Sequence, residues 1–237
     1  ATPDWKTIEC PPLTYDYHPR DIRLVLENAA ILGDSDGEPG NFEDMLQKIE
    51  ANKRSRIDVV VGAGPEDRDA FWNRYAANAD KYDRCCYAYV LRGRGRYKGL
   101  LAIEYWYAYF YNDWRFVHEM DWEEVVVILR VSRTKKEIPL ACACSAHNGG
   151  YRLRWNNVEK ANEEKNRDDE NGTHPIVYVA QGSHANYFFG GRKYETFPGR
   201  KLFRDSFLDF VASFEEGNPH LVEALLLPPP TRGLWTG

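Results

Sequence analysis

Apolar residues along this chain repeat with two different periods, and the change falls near residue 86. Before it the spacing is helical. In HPRDIRLVLENAAI, Ile22, Val25, Leu26 and Ala29 lie on one helix face. NFEDMLQKIEAN is a stronger case. Asn41 can cap the first turn, Asp44 stands where backbone N–H groups are unpaired, and Phe42, Met45, Leu46 and Ile49 form one stripe. GPEDRDAFWNRYAANADKY opens with Pro65, whose fixed φ suits a first helical position, and offers Phe71, Trp72 and Tyr75 for burial.

After residue 86 the period drops to two. CYAYVLRGRGRYKGLLAIEYWYAYFYND reads as two strands joined by a Gly-rich basic turn, which is a hairpin. DWEEVVVILRV, PLACACSAH and HPIVYVAQGSH follow as further strands, the last two separated by the polar, mixed-charge NNVEKANEEKNRDDENGT, a solvated loop. DSFLDFVASF and NPHLVEALLL, the latter capped by Asn218 and ended by Pro228 to Pro230, read as two C-terminal helices. No repeat and no linker interrupts the chain. The expectation is one α+β domain: a helical flank over 1–85, an antiparallel β-sandwich core over 86–190, and C-terminal helices over 191–237.

Composition narrows the classes of function. Of 237 residues, 43% are hydrophobic and 28% charged, an ordinary soluble balance. A net charge of -5 argues against a nucleic-acid partner. No apolar run reaches the ~20 residues of a spanning helix. The chain opens on ATPDW, with neither Met nor an apolar leader, which leaves the compartment open between secreted and cytoplasmic. The five cysteines, Cys10, Cys85, Cys86, Cys142 and Cys144, lack zinc-ligand spacing. Cys142 and Cys144 alternate along a strand and share a face as small core residues, and the set reads as mostly reduced.

The chemistry gathers where strands begin and end. Residues two apart on a strand share a face, so Asp121 and Glu123 point together. Tyr105, Tyr107, Tyr109, Tyr111 and Asp113 share a face of the preceding strand. If the short WRFVHEM connection makes these strands neighbours, Asp113, Asp121 and Glu123 meet at one sheet end with His118 above them. Crowded carboxylates resist ionising unless a cation compensates, and oxygen donors with one imidazole suit Mg, Ca or Mn. The plainer alternative is a capped turn with Arg115 neutralising the acids.

Several of these segments resemble known families. LAIEYWYAYFYND, DWEEVVVIL, SAHNGGYRLRW and HPIVYVAQGSHANYF, with the opening YDYHPRDI, are similar to the vacuolar-protein-sorting-associated family numbered sixty-two, over roughly residues 13–190. That resemblance implies a fold more than an activity. VHEMDWE, residues 117–123, also resembles the hallmark of the necrosis-inducing cytolysins, β-sandwich proteins that bind a divalent cation and attack membranes through sphingolipid heads. The resemblance lays Asp113, His118, Asp121 and Glu123 on that family's cation site. Val117, Glu119 and Met120 depart from its Gly, Arg and second His, which leaves the cation in place and removes the expectation of lysis.

Two further histidines stand at strand exits. His147 precedes Gly149-Gly150, and His184 follows Ser183. Adjacent residues on a strand face opposite ways, so Ser183 and His184 are no nucleophile pair. RGRGRYKG joins two strands, not a strand to a helix, which argues against a phosphate cradle. Three functions follow. The first is a divalent-cation module for a sugar, lipid head or other small polar ligand, with Tyr107, Tyr109 and Tyr111 offering an apolar face. The second is a metal-dependent enzyme, such as a hydrolase or lyase, with His118, His147 or His184 as acid or base. The third is a trafficking or structural domain without metal.

Overall fold

The architecture comes from a computed structural model, which describes residues 15–31, 39–52, 57–62, 64, 66–93, 98–114, 117–132, 134, 136–147, 149–161, 172–188, 200–203 and 214–216. In chain order the elements are α1 (Arg23–Leu26), β1 (Ala29–Ile31), α2 (Phe42–Ala51), β2 (Ile57–Val59), α3 (Arg68–Asn78), β3 (Tyr87–Gly93), β4 (Leu100–Asn112), β5 (His118–Val131), β6 (Glu137–Ala146) and β7 (Gly149–Arg154). They continue with β8 (Lys160–Ala161), β9 (His174–Pro175), β10 (Tyr178–Val179), β11 (Asn186–Tyr187), β12 (Arg200–Phe203) and β13 (Phe214–Glu216).

One antiparallel sheet dominates, in the order β12-β7-β6-β5-β4-β3-β13, with β1-β2, β8-β9 and β10-β11 as two-stranded sheets. The described strands therefore give an α+β fold, mostly strand, with one large sheet where the sequence suggests two packed face to face. Each face of it has a different cover. On one, α1, α2 and α3 bring Leu24, Val25, Leu26, Met45, Phe71 and Tyr75 onto Ala108, Phe110 and Tyr111. On the other, Val158 and Phe188 pack with Val125, Val127, Cys142, Cys144 and Leu153. The run Val125 to Leu129 is buried on both faces, which explains five consecutive aliphatics in a strand of a sheet covered on both sides.

The helices differ from expectation in instructive ways. α2 matches its sequence signal, and Asn41 accepts from Asp44 N at 3.0 Å. α3 starts at Arg68 with Asp67 as its cap, Oδ1 accepting from Ala70 N at 3.0 Å, and Pro65 lies outside the described residues. α1 is a single turn, and Ala29 leaves it to pair with Val59 in β1-β2. The strand Ala29–Ile31 continues the apolar run but extended, held by β2 and by Val60 N donating to Asn28 O at 2.8 Å. HPIVYVAQGSH is not one strand. It breaks into β9 and β10, then a turn before β11. The described parts of 191–237 are edge strands β12 and β13, with Phe214 in β13, where helices are expected. The rest of those two helical segments lies outside the described residues, as do Arg115 and Cys10. Cys85, Cys86, Cys142 and Cys144 are free thiols, and the last two are buried together as their alternation requires.

Candidate functional site

The register of β4 and β5 starts the site. Tyr109 lies opposite Asp121 and Tyr107 opposite Glu123. Directly opposite residues share a face, so the strand alternation does bring Asp121 and Glu123 to one patch, and both are buried. Burial, and then the neighbouring charge of Asp121, holds the Glu123 carboxyl well above the usual carboxylate range. Ser145 works the other way. Its Oγ donates to Glu123 Oε2, which favours the ionised form, and accepts from Glu124 N at 2.8 Å. The β5-β6 pairing stops at Val125 opposite Cys144, so Ser145 replaces with its hydroxyl the backbone partner that Glu124 lacks.

The imidazole at these acids is His184, not His118. It sits in a turn closed by Ala180 N donating to Ala185 O and His184 N donating to Ala180 O, both at 2.9 Å. Gly182 has φ 81 and His184 φ 52, a left-handed conformation that a non-glycine residue adopts at a cost of about 1–2 kcal/mol. The side chain over-determines that backbone. Its ring lies flat on Tyr109, centroids 3.9 Å apart and planes 7° apart. Nδ1 is 3.0 Å from Asp121 Oδ2, which also accepts from Asn112 Nδ2 at 3.2 Å. A carboxylate only accepts, so Nδ1 carries a proton toward Asp121, and Nε2 presents a lone pair whenever the ring is neutral. Nε2 is buried without a partner.

Asp113 closes the cluster from the end of β4. Its N–H donates to Gly182 O at 2.8 Å and so ties the strand end to the turn that carries His184. Its side chain is wholly buried, with Arg68 Nε 2.9 Å from Oδ1 but off the hydrogen-bond direction, so both carboxyl oxygens lack a hydrogen bond. Burial raises its pKa, and the charges of Arg68 and His184 oppose that rise. Tyr17 packs edge-on to His184 at 6.4 Å, and its buried hydroxyl has no partner. Burial and then the Asp113 charge push that hydroxyl far above its ordinary pKa. Four buried polar atoms without hydrogen bonds, Asp113 Oδ1 and Oδ2, His184 Nε2 and Tyr17 OH, thus belong to three neighbouring residues.

The other expected residues fall elsewhere. His118 lies opposite Asn112, and its Nδ1 is 3.2 Å from Glu119 O. His147 is exposed at φ 50, with Nε2 3.2 Å from Tyr187 OH. The tyrosine stripe is core: Tyr111 stacks on Phe71 at 4.4 Å and Tyr109 on His184, while Tyr107 is half-buried. Among the described residues, no three His, Cys, Asp or Glu side chains converge as a ready coordination shell. Asp113, His118, Asp121 and Glu123 are therefore not gathered as one ligand set. The donor chemistry is compatible with a hard cation, since buried oxygens of Asp113 and Tyr17 and one imidazole nitrogen lack hydrogen bonds, although Asp113 Oδ1 is already ion-paired with Arg68. No helix among the described residues is long and apolar enough to cross a membrane. No protein-family model, curated protein or solved structure matches the chain.

Proposed function

We propose that this protein is a β-rich module that binds a small polar ligand through a divalent cation, with Asp113, Asp121, Glu123 and His184 as the site. The reading keeps the three acids expected from the strand pattern and exchanges His118 for His184. One observation carries it: buried polar atoms without hydrogen bonds on Asp113, His184 and Tyr17 beside two further buried carboxyls. Buried polar groups are normally satisfied, so a set of this kind calls for an occupant that accepts their lone pairs. Asp121 fixes the His184 tautomer that leaves Nε2 free to ligate, a carboxylate–imidazole arrangement common behind metal ligands. Burial and the like charge of Asp121 raise the Glu123 pKa, and a nearby cation favours its ionised form. The ion, when bound, supplies a positive centre for an oxygen of a sugar, lipid head or other polar ligand. On the family resemblance, the large sheet forms one layer of a sandwich around that site, and the described residues 172–188, which carry His184, belong to the cover on its other side.

The second reading is a metal-dependent hydrolase or lyase. The Asp121–His184 hydrogen bond favours it, because it leaves Nε2 as a base in a strained, fixed turn. Titration of the purified chain with calcium, magnesium and manganese salts, by calorimetry and by melting, tests the proposal. A cation at 100 times its Kd stabilises the fold by about 2.7 kcal/mol. Asp113→Asn and His184→Asn abolish that gain, Asn being the residue that best tolerates the left-handed backbone at 184. No heat and no melting shift with any of the three ions refutes the cation reading and leaves the polar network as structure. Turnover of ester or phosphoester reporters, lost in chelator, decides for the enzyme.

A further inference from the structure

Arg68 is the cation paired with Asp113, and it holds that place on weak terms. Its Nε is 2.9 Å from Asp113 Oδ1 but off the hydrogen-bond direction, so neither carboxyl oxygen receives a hydrogen bond. Arginine at its strongest grips a carboxylate with two parallel N–H donors, and this pair has neither. The two side chains also differ in depth, that of Asp113 being wholly buried and that of Arg68 28% exposed. Arg68 is the first residue of α3, where unpaired N–H groups already carry positive charge and a cationic side chain is disfavoured. The helix gives the guanidinium no reason to stay, and Asp113 is what draws it inward.

The surroundings let this side chain leave while the backbone around it stays. Phe71, one turn further along α3, is buried and stacks on buried Tyr111 at 4.4 Å, which fixes the helix start over the end of β4. Asp113 is tied by its own N–H to Gly182 O at 2.8 Å and cannot follow. Glu66, Asp67 and Asp69 flank Arg68 in the chain and are exposed, so a guanidinium that turns outward meets acids and water. Two positive groups beside one buried carboxylate repel strongly, since little water screens them, and the acid keeps one of them. We infer that Arg68 is an exchangeable plug of the proposed site: it competes with a divalent cation for Asp113 and turns out to the exposed acids as the ion arrives. The inference rests on the cation reading above and adds to it a built-in competitor, which sets the ion concentration at which the site fills.

Calcium, magnesium and manganese salts are titrated calorimetrically into the wild type, Arg68→Met and Arg68→Lys, with a melting curve at each ion concentration. Methionine keeps the apolar stem and removes the charge, and lysine keeps the charge. Without ion Arg68→Met melts below the wild type, yet it binds the ion about tenfold more tightly, a gain of about 1.4 kcal/mol. Its Tm deficit narrows as ion is added, because the ion supplies the charge that the variant lacks. A side chain with a merely structural role lowers Tm equally with and without ion and leaves Kd where it was. Arg68→Lys lies nearer the wild type than Arg68→Met does. The wild type carries a readout that needs no variant to fold: the Arg68 Nε–H NMR resonance shifts, and exchanges faster with water, as ion is added. Equal or weaker binding by Arg68→Met, or an Arg68 resonance unmoved while the ion binds, overturns the exchange and leaves the cation reading standing. No heat from the wild type or from Arg68→Met with any of the three ions overturns both.

Discussion

Replacing Ser145 by Ala removes one oxygen that holds two strands at the acid site. Ser145 Oγ accepts from Glu124 N at 2.8 Å and donates to Glu123 Oε2. All three residues are buried, so water does not take its place. An unpaired buried N–H costs about 1–3 kcal/mol, and loss of the hydroxyl donor to the carboxyl adds about 0.5–1.5 kcal/mol. The expected loss is therefore about 2–4 kcal/mol, measured by urea unfolding with the m value unchanged. Its pH dependence has a definite sign. The Ser145 bond lowers the pKa of Glu123, against the larger raising effect of burial. Without it the folded pKa climbs further, so the ionised form is less well supported in the variant. The penalty is smallest where Glu123 is protonated in both proteins and grows as pH rises toward the folded pKa. A loss below about 0.5 kcal/mol, or one that shrinks with rising pH, refutes this account of the strand end.

Two further outcomes follow from the same cluster and its neighbours. Arg68→Met removes the guanidinium ion-paired with Asp113 and should cost about 3 kcal/mol near pH 7, less as pH falls, because burial raises the Asp113 pKa and the protonated acid needs no counter-charge; equal losses at pH 7 and in acid, in urea unfolding, would contradict that pairing. Vesicles loaded with dye and containing glycosylated sphingolipids should stay intact with calcium or magnesium present. In this chain Glu119 stands in the hallmark segment and accepts from Val59 N at 2.6 Å, so it pins β2 and leaves no basic group there for acidic heads. Dye release at sub-micromolar protein would show that reasoning to be wrong.

Much of the sheet was legible because alternation is a local property. Tyr107 and Tyr109, Asp121 and Glu123, and Cys142 and Cys144 take the faces that period two assigns them. Helix ends were less so, since α3 is fixed by the side chain of Asp67, which accepts from Ala70 N, and the apolar spacing carries no sign of that bond. The imidazole that hydrogen-bonds Asp121 is not the one nearest it in sequence, and the reason is physical. His118 is near Asp121 in sequence, but nearness along a strand is not nearness across it. His184 reaches Asp121 through a turn that needs Gly182 at φ 81 and its own left-handed backbone. Only the Gly182-Ser183 pair before it hints at such a turn. Tyr111 reads as a ligand platform until Phe71, 40 positions earlier, is seen stacked on it, a contact no periodicity encodes. The edge strands β12 and β13 follow from long-range pairing with β7 and β3 and carry no alternation long enough to mark them.

Glu123 and Glu124 are joined by one peptide bond and serve opposite faces of the sheet, the first toward His184 and Tyr109, the second toward Glu104 and Trp106. A single residue inserted or deleted within β5 would exchange the two, sending the acid of each face to the other and every aliphatic from Val125 to Leu129 with it. Where β4 pairs with β5, changes of length therefore fit best in the connections, such as the one between Asn112 and His118, while β6 absorbs one extra residue as a bulge opposite Ile128 and Leu129. For anyone who recombines, truncates or grafts this sheet, β4 and β5 move as one indivisible block, and cut points belong in the turns on either side of it.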